Sequence, residues 1–239
     1  MKRTDIEKGI IKRFAPLVSR HDFKLVSEDY KDANHFVDFT FKGPNGITYV
    51  YLIRFIKASY MQHDSQVVIY SDRVSAVYKK LNPDYPYEDW PVFNFRMNGY
   101  LHPKNASGIF TSNVVDAYID RIPVTKEGLD VLANELYNVF FLPIVTKIIP
   151  ATDSDEKLDH TINDLPGLME TGKEIPMLLY PLSLVDQVLG GIILARIQNR
   201  PDYGRLVKRY LEFAEEFAPG DIEEIDLMRK AIKLFEKGE

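Results

Sequence analysis

Between Val37 and Lys42 the chain alternates: Val37, Phe39 and Phe41 are apolar, while Asp38, Thr40 and Lys42 are polar. A period of two places the sets on opposite faces of a strand, so this segment reads as a half-buried strand. After Gly43 to Gly46 the parity returns in Ile47, Tyr49, Tyr51, Ile53 and Phe55, with alternate positions Thr48, Val50, Leu52, Arg54 and Ile56 only partly polar. This second strand is expected to be buried on both faces, as a central strand is. Register selects the turn, because a slip of one residue exchanges the faces. A three-residue loop, with Pro44 and Asn45 in the right-handed positions of a type I turn and Gly46 left-handed in the bulge, pairs position 43 with 47. Phe41 then faces Tyr49, Phe39 faces Tyr51 and Val37 faces Ile53, an apolar cross-strand ladder. A two-residue loop would set Tyr49 and Tyr51 against Thr40 and Asp38.

Upstream, Thr4 with Glu7 is a capping-box signal, and Ile6, Ile10, Phe14 and Val18 predict an amphipathic helix that Pro16 kinks or ends early. Phe23 to Ser27 reads as a short strand and Glu28 to Asn34 as a charged loop. Downstream, Gln66 to Tyr70 is a strand candidate, and Ser71 or Asp72 can cap a helical turn towards Leu81. NPDYPYEDWP, Asn82 to Pro91, is excluded from regular structure by its three prolines. Phe93, Phe95, Met97 and Leu101 alternate with polar positions as another strand. HPKNASG follows as a loop, and Ile109 to Ile122 fits strand or helix.

Thr125 can cap a long helix with Leu129, Leu132, Leu136 and Phe140 on one stripe and an apolar, buried tail from Phe141 to Ile149. Acids then cluster at Asp153, Asp155, Glu156, Asp159 and Asp164, in a loop or short exposed helix. Three helix patterns close the chain: Leu182, Val185, Leu189 and Ile192; Leu206, Tyr210, Ala214 and Phe217; Ile225, Met228, Ile232 and Phe235. Pro219 and Gly220 separate the last two, and Asp221 with Glu224 restarts the chain as a helical hairpin. Strands first and helices later predict an α+β fold: an N-terminal helix, an antiparallel meander of about four or five strands, then a helical half packed on the sheet. Residues 1–122 would form the sheet region and 123–239 the helical region, together one compact body of 239 residues.

Charge refines this picture. The first 60 residues hold 11 basic against 7 acidic side chains, a net +4, so the formal charge of −5 leaves −9 for the rest. An acidic second part argues against a nucleic-acid binder, whose affinity rests on neutralising phosphates, and fits a basic protein partner. The absence of cysteine excludes disulfides and thiolate metal sites and fits a reducing compartment. The charged start MKRTDIEKGIIKRF does not read as a signal peptide. The most apolar window, Val139 to Pro150, is too short for a membrane span and holds Pro143 and Lys147. A soluble, cytoplasmic protein is expected, with no membrane partner.

Catalytic chemistry is weakly signalled. His21, His35, His63, His102 and His160 are scattered, and none has metal-ligand spacing. His63 and Asp64 read as a solvated loop pair; the alternative is a general base with its orienting carboxylate. Asp38 invites comparison with metal-dependent nucleases, but the neighbouring strand lacks the matching acid and lysine, so it reads as a solvent-face residue. Gly190 and Gly191 point to close helix packing, with a ligand contact as the alternative. No catalytic residue, metal or cofactor is assigned. The candidate partner-binding residues are Tyr85, Tyr87, Glu88, Asp89 and Trp90 on the proline-stiffened loop, because rigid aromatics make interface anchors. Asp153, Asp155, Glu156 and Asp159 join them as an acidic surface that would steer a basic partner. For both sets the competing reading is structural: rings folded over the sheet edge, and a solvated acidic loop.

The N-terminal helix, HDFKL, the charged gap and HFVDFTF before a second strand resemble a group of uncharacterised bacterial α+β proteins, some of them suspected immunity proteins of toxin systems. The resemblance covers the first quarter of the chain, with an echo in ILARIQNRPDYGRLVKRYLE. It implies a partner-binding role and assigns no site residue. The expectation is a protein-binding module, an immunity-type inhibitor of a basic partner. The alternative is a hydrolase with its site between the sheet and the helical half.

Overall fold

The computed structural model describes residues 3–31, 34–57, 61–97, 125–164, 184–217 and 219–236. The fold is α+β: an N-terminal helix, a five-stranded antiparallel sheet in sequential order, then helices. The strands are β1 (Lys24–Lys31), β2 (Asn34–Lys42), β3 (Ile47–Lys57), β4 (Met61–Ser71) and β5 (Pro91–Arg96). The helices are α1 (Arg3–Val18), α2 (Asp72–Leu81), α3 (Lys126–Thr152), α4 (Asp155–Asn163), α5 (Leu184–Ile197), α6 (Tyr203–Phe217) and α7 (Ile222–Glu236). Ile109 to Ile122, the HPKNASG loop, Leu101, His102 and Leu182 lie outside the described residues. Two compact units interleave along the chain: Met1–Phe41, Tyr49–Val67 and Arg96–Pro150 in one; Lys42–Thr48, Val68–Phe95 and Ala151–Glu239 in the other.

In the hairpin, Gly43 N–H donates to Ile47 O at 2.8 Å, so positions 43 and 47 pair. The Phe41 and Tyr49 rings lie 5.9 Å apart at 19°. Val37, Phe39, Ile47, Tyr49, Tyr51, Ile53 and Phe55 are all buried. One detail differs. Asn45 is left-handed (φ 61°, ψ 21°), as is Gly46 (φ 72°). Asparagine tolerates this region better than most residues, and Asn45 Nδ2 donates to Asp153 O at 3.0 Å, a distant partner the local sequence does not show. The second face of β3 is half-exposed from Thr48 to Arg54, so a central strand here is covered fully on one side only.

Two strands are longer than their patterns. The charged stretch Glu28 to Lys31 belongs to β1, which pairs with β2 from Lys24↔Thr40 to Lys31↔Asn34 and bulges between Leu25 and Ser27. All eight residues of this edge strand are exposed, so no alternation marks it. β4 begins at Met61 and takes in His63 and Asp64, which are strand rather than loop residues.

In the first unit, α1 runs through Pro16 to Val18, and Asp22 at φ 63° ends the short turn that follows. Thr4 lies inside α1 (Arg3–Val18) rather than ahead of it, and Glu7 is buried with its carboxylate towards His35. α1 packs against the α-helical first part of α3 and against the turn Leu136–Phe141. Thr125 caps α3, accepting from Gly128 N–H at 3.2 Å. Leu129, Leu132, Leu136, Phe140, Phe141, Ile144 and Ile148 are buried. The helix crosses Pro143, which lacks an N–H, by widening into π-helical turns at Leu136–Phe141 and Ile144–Ile148. The resulting 27-residue helix is long and apolar enough to cross a membrane by length and composition, whereas the window Val139 to Pro150, taken alone, reads as too short for a span. Its apolar stripe is spent on a protein core: Phe141, fully buried, meets the rings of Phe14, Phe23 and Tyr51 at 5.0–6.0 Å.

In the second unit, α5 packs against α2, α4, α6 and α7. Gly190 and Gly191 make that packing possible. A Cβ on Gly190 would lie 3.1 Å from Val92 O on β5, and one on Gly191 3.0 Å from Asn163 Oδ1 and 3.1 Å from the Tyr210 hydroxyl. Of the acids after α3, Asp155, Glu156 and Asp159 lie on the amphipathic helix α4, with Leu158 and Ile162 buried. Ser71 caps α2, as the sequence suggests, and does more. Its Oγ accepts from Val74 N–H at 3.3 Å and donates to Asp155 Oδ1 at 2.6 Å. Ser71→Ala removes a cap and leaves the buried Asp155 carboxylate short of a donor. A loss of about 1–3 kcal/mol is expected in urea denaturation.

Candidate functional site

Helix α2 places the aromatic loop. Tyr78, on its inner face, stacks on Trp90 with ring centroids 3.5 Å apart and planes at 18°. Trp90 N–H donates to Ser75 Oγ at 3.0 Å, and Asn82 Nδ2 donates to the Tyr78 hydroxyl at 3.3 Å. Both ends of Asn82–Pro91 are therefore tied to the same helix. Tyr85 lies edge-on to Tyr78 (5.0 Å, 77°) and to Trp90 (4.9 Å, 61°). Tyr87 extends the relay outward, 5.4 Å from Tyr85 at 66°, and is 68% exposed. Of the candidate residues here, Trp90 forms the buried base, Tyr85 the half-buried middle, and Tyr87, Glu88 and Asp89 the exposed tip. Asp84 is exposed as well, and among the described residues no cation pairs with Asp84, Glu88 or Asp89.

The acids on and beside α4 are arranged differently. Asp153 pairs with Lys157 at 2.9 Å. Asp155 is buried, bound to Ser71 and to Arg73 Nη1 at 3.3 Å. Asp159, 2% exposed, receives Arg200 Nη1 at 3.0 Å and Asn163 Nδ2 at 2.6 Å. Of these four acids, Glu156 is the exposed one, and it has no ion pair among the described residues. Arg200 also donates to Asp164 (2.7 Å) and Asp202 (2.9 Å), and Tyr210 donates to Asn163 Oδ1 at 2.6 Å. Burial pushes the Tyr210 phenol up, so it remains a donor. The helix-borne acids thus serve chiefly as internal partners of arginines.

A second constellation, in the first unit, was not singled out by the sequence. His35 is fully buried and lies between Tyr30 (4.2 Å, 8°) and Phe55 (5.5 Å, 22°). Its Nε2 is 3.0 Å from Glu28 Oε1 and its Nδ1 is 3.5 Å from Glu7 Oε2. Lys8 lies over Tyr30 at 5.5 Å, and burial together with Glu7, Glu28 and Asp5 pushes the Tyr30 phenol up. The β-pairing of Tyr30 with His35 could have revealed the cluster had the charged second half of β1 been legible as strand. A ring with no exposed surface reaches no substrate, so the arrangement clamps α1 and β1 to the sheet.

Asp64 accepts from Arg54 at 3.1 Å and from Gln66 at 2.8 Å, an ion-paired strand carboxylate; the side chain of His63 lies outside the described residues. Asp38 accepts from Ser27 Oγ at 2.6 Å. Among the described residues no group of three or more His, Cys, Asp or Glu is placed to hold a metal ion. What the loop can do chemically is present rigid aromatic surface beside carboxylates that no cation pairs with among the described residues. No family model, no curated protein and no solved structure matches the chain.

Proposed function

We propose that the chain is a protein-binding module that blocks a basic partner in the manner of an immunity-type inhibitor. The observation that carries this reading is the loop Asn82–Pro91: two pinned ends, an exposed Tyr87 on a stack of rings, and three carboxylates with no ion pair among the described residues. A loop ordered before binding loses little freedom on binding, which favours affinity. Carboxylates already paired with arginine, as on α4, offer a partner little net attraction. Unpaired ones steer a cationic surface and are compensated by it.

Affinity capture with the full chain from its native cells, read by mass spectrometry, tests this. A basic protein retained in stoichiometric amount by the wild type, and lost with Tyr87→Ala combined with Glu88→Lys and Asp89→Lys, is the expected result. Loss of a hot-spot aromatic alone weakens such complexes by about 2 kcal/mol or more. Absence of any stoichiometric partner, or a partner indifferent to these substitutions, overturns the reading.

A further inference from the structure

Resting on the basic-partner reading, we infer that the corner between Tyr85 and Tyr87 is a receptor for an arginine side chain of that partner, stacked on Tyr87 and paired with Glu88 or Asp89. The two rings meet at 66° with centroids 5.4 Å apart, and the outer one is 68% exposed. They form an angle with an aromatic floor, since Tyr85 is backed edge-on by both Tyr78 and Trp90. Pro86 between the two tyrosines fixes its own φ and biases Tyr85 towards extended backbone, so the angle is set before a ligand arrives.

Ring faces attract cations through their quadrupole. A guanidinium fits this corner better than an ammonium for two reasons. Its flat, weakly hydrated face stacks on a ring, and its edge still offers paired N–H donors to a carboxylate. Glu88 and Asp89 follow Tyr87 directly in the chain, both exposed and neither ion-paired among the described residues. No lysine or arginine occurs between Asn82 and Pro91, so the loop itself carries no cation. The nearest cations in sequence, Lys79 and Lys80, belong to the last turn of α2, where they oppose the helix dipole. The same chain shows the pairing it would offer: Arg196 lies over the Tyr203 and Phe235 rings at 5.9 and 6.0 Å.

Trp90 is the single tryptophan, so its emission reports on this stack directly. The test titrates the full-length protein at low salt with three blocked tetrapeptides, of arginine, lysine and citrulline. Citrulline keeps the planar group and removes the charge. The arginine peptide is expected to change Trp90 emission saturably, the lysine peptide to bind several-fold more weakly, and the citrulline peptide not to bind. Tyr87→Leu, at an exposed position where folding is unaffected by far-ultraviolet circular dichroism, is expected to weaken the arginine peptide about tenfold. Equal binding of arginine and lysine peptides, insensitive to Tyr87→Leu but lost in Glu88→Gln with Asp89→Asn, overturns the stacking site while leaving the basic-partner reading standing. No saturable binding of the arginine peptide overturns the site too, and the partner capture above then judges the broader reading separately.

Discussion

Replacing Arg200 with methionine is expected to destabilise the protein by about 3–5 kcal/mol, measured by urea denaturation at pH 7. The guanidinium serves Asp159, Asp164 and Asp202 at 3.0, 2.7 and 2.9 Å. Its side chain is only 15% exposed, and that of Asp159 only 3%. Methionine fills similar space but leaves Asp159 as a buried charge without a counter-charge, the costliest way to break such a pair. The effect carries a pH signature. The hydrogen bond from Arg200 holds the Asp202 carboxyl below its usual range. At Asp164 burial acts upward, but hydrogen bonds from His160 and Arg200 outweigh it and the carboxyl is again held low. Groups depressed in the folded state stabilise it above the unfolded carboxylate pKa of about 4, and this contribution is lost as pH falls through the folded values. The gap between wild type and Arg200→Met should therefore be full at pH 7 and narrow below about pH 4. His160 works in the opposite sense. Its hydrogen bond to Asp164 raises its pKa, so its contribution is present below about 6.5 and fades as pH rises through the folded value. With its side chain 60% exposed, that limb is small. A gap that stays constant from pH 7 to pH 3 would contradict the assignment of Arg200 as the common counter-charge.

Phe141→Ala is the second large effect, about 3–5 kcal/mol by the same measurement. Phe141 has no exposed surface, and edge-to-face contacts tie it to Phe14, Phe23 and Tyr51. Tyr137 and His21 approach it as well, at 5.7 and 5.8 Å. Alanine loses the transfer energy of the ring and opens a cavity among aromatic neighbours too rigid to fill it. Phe141→Leu, which keeps most of the volume, should recover much of the loss. Equal costs for the two would show that the ring geometry, and not the packed volume, is what the site requires.

Where a residue's environment is set by its neighbours in sequence, the chain is legible. The pairing of positions 43 and 47, the caps at Ser71 and Thr125, and the stripe from Leu129 to Phe140 follow from periodicity and local hydrogen bonding. Where distant residues decide, it is not. The second half of β1, Glu28 to Lys31, escapes because every side chain is exposed, and only its pairing with β2 makes it a strand. Asp155 and Asp159 look like surface acids until Arg73 and Arg200, far along the chain, are seen to neutralise them. His35 looks isolated because its carboxylates come from α1 and β1. In the aromatic loop the prolines reveal rigidity, but only the stacking of Trp90 on Tyr78 distinguishes the buried base from the exposed tip.

The widened turns of α3 also set how that helix can change length. An α-helix advances each residue by about 100°, so losing one from the regular stretch Lys126–Glu135 would swing Leu129 or its successors off the core face. A π turn holds one residue more than the α turn it replaces. Losing one within Leu136–Phe141 would restore ordinary pitch and leave Ile144 and Ile148 in phase with the core. The helix thus holds slack of one residue beside its proline, and the place where it looks least regular is the place where its register best survives a deletion.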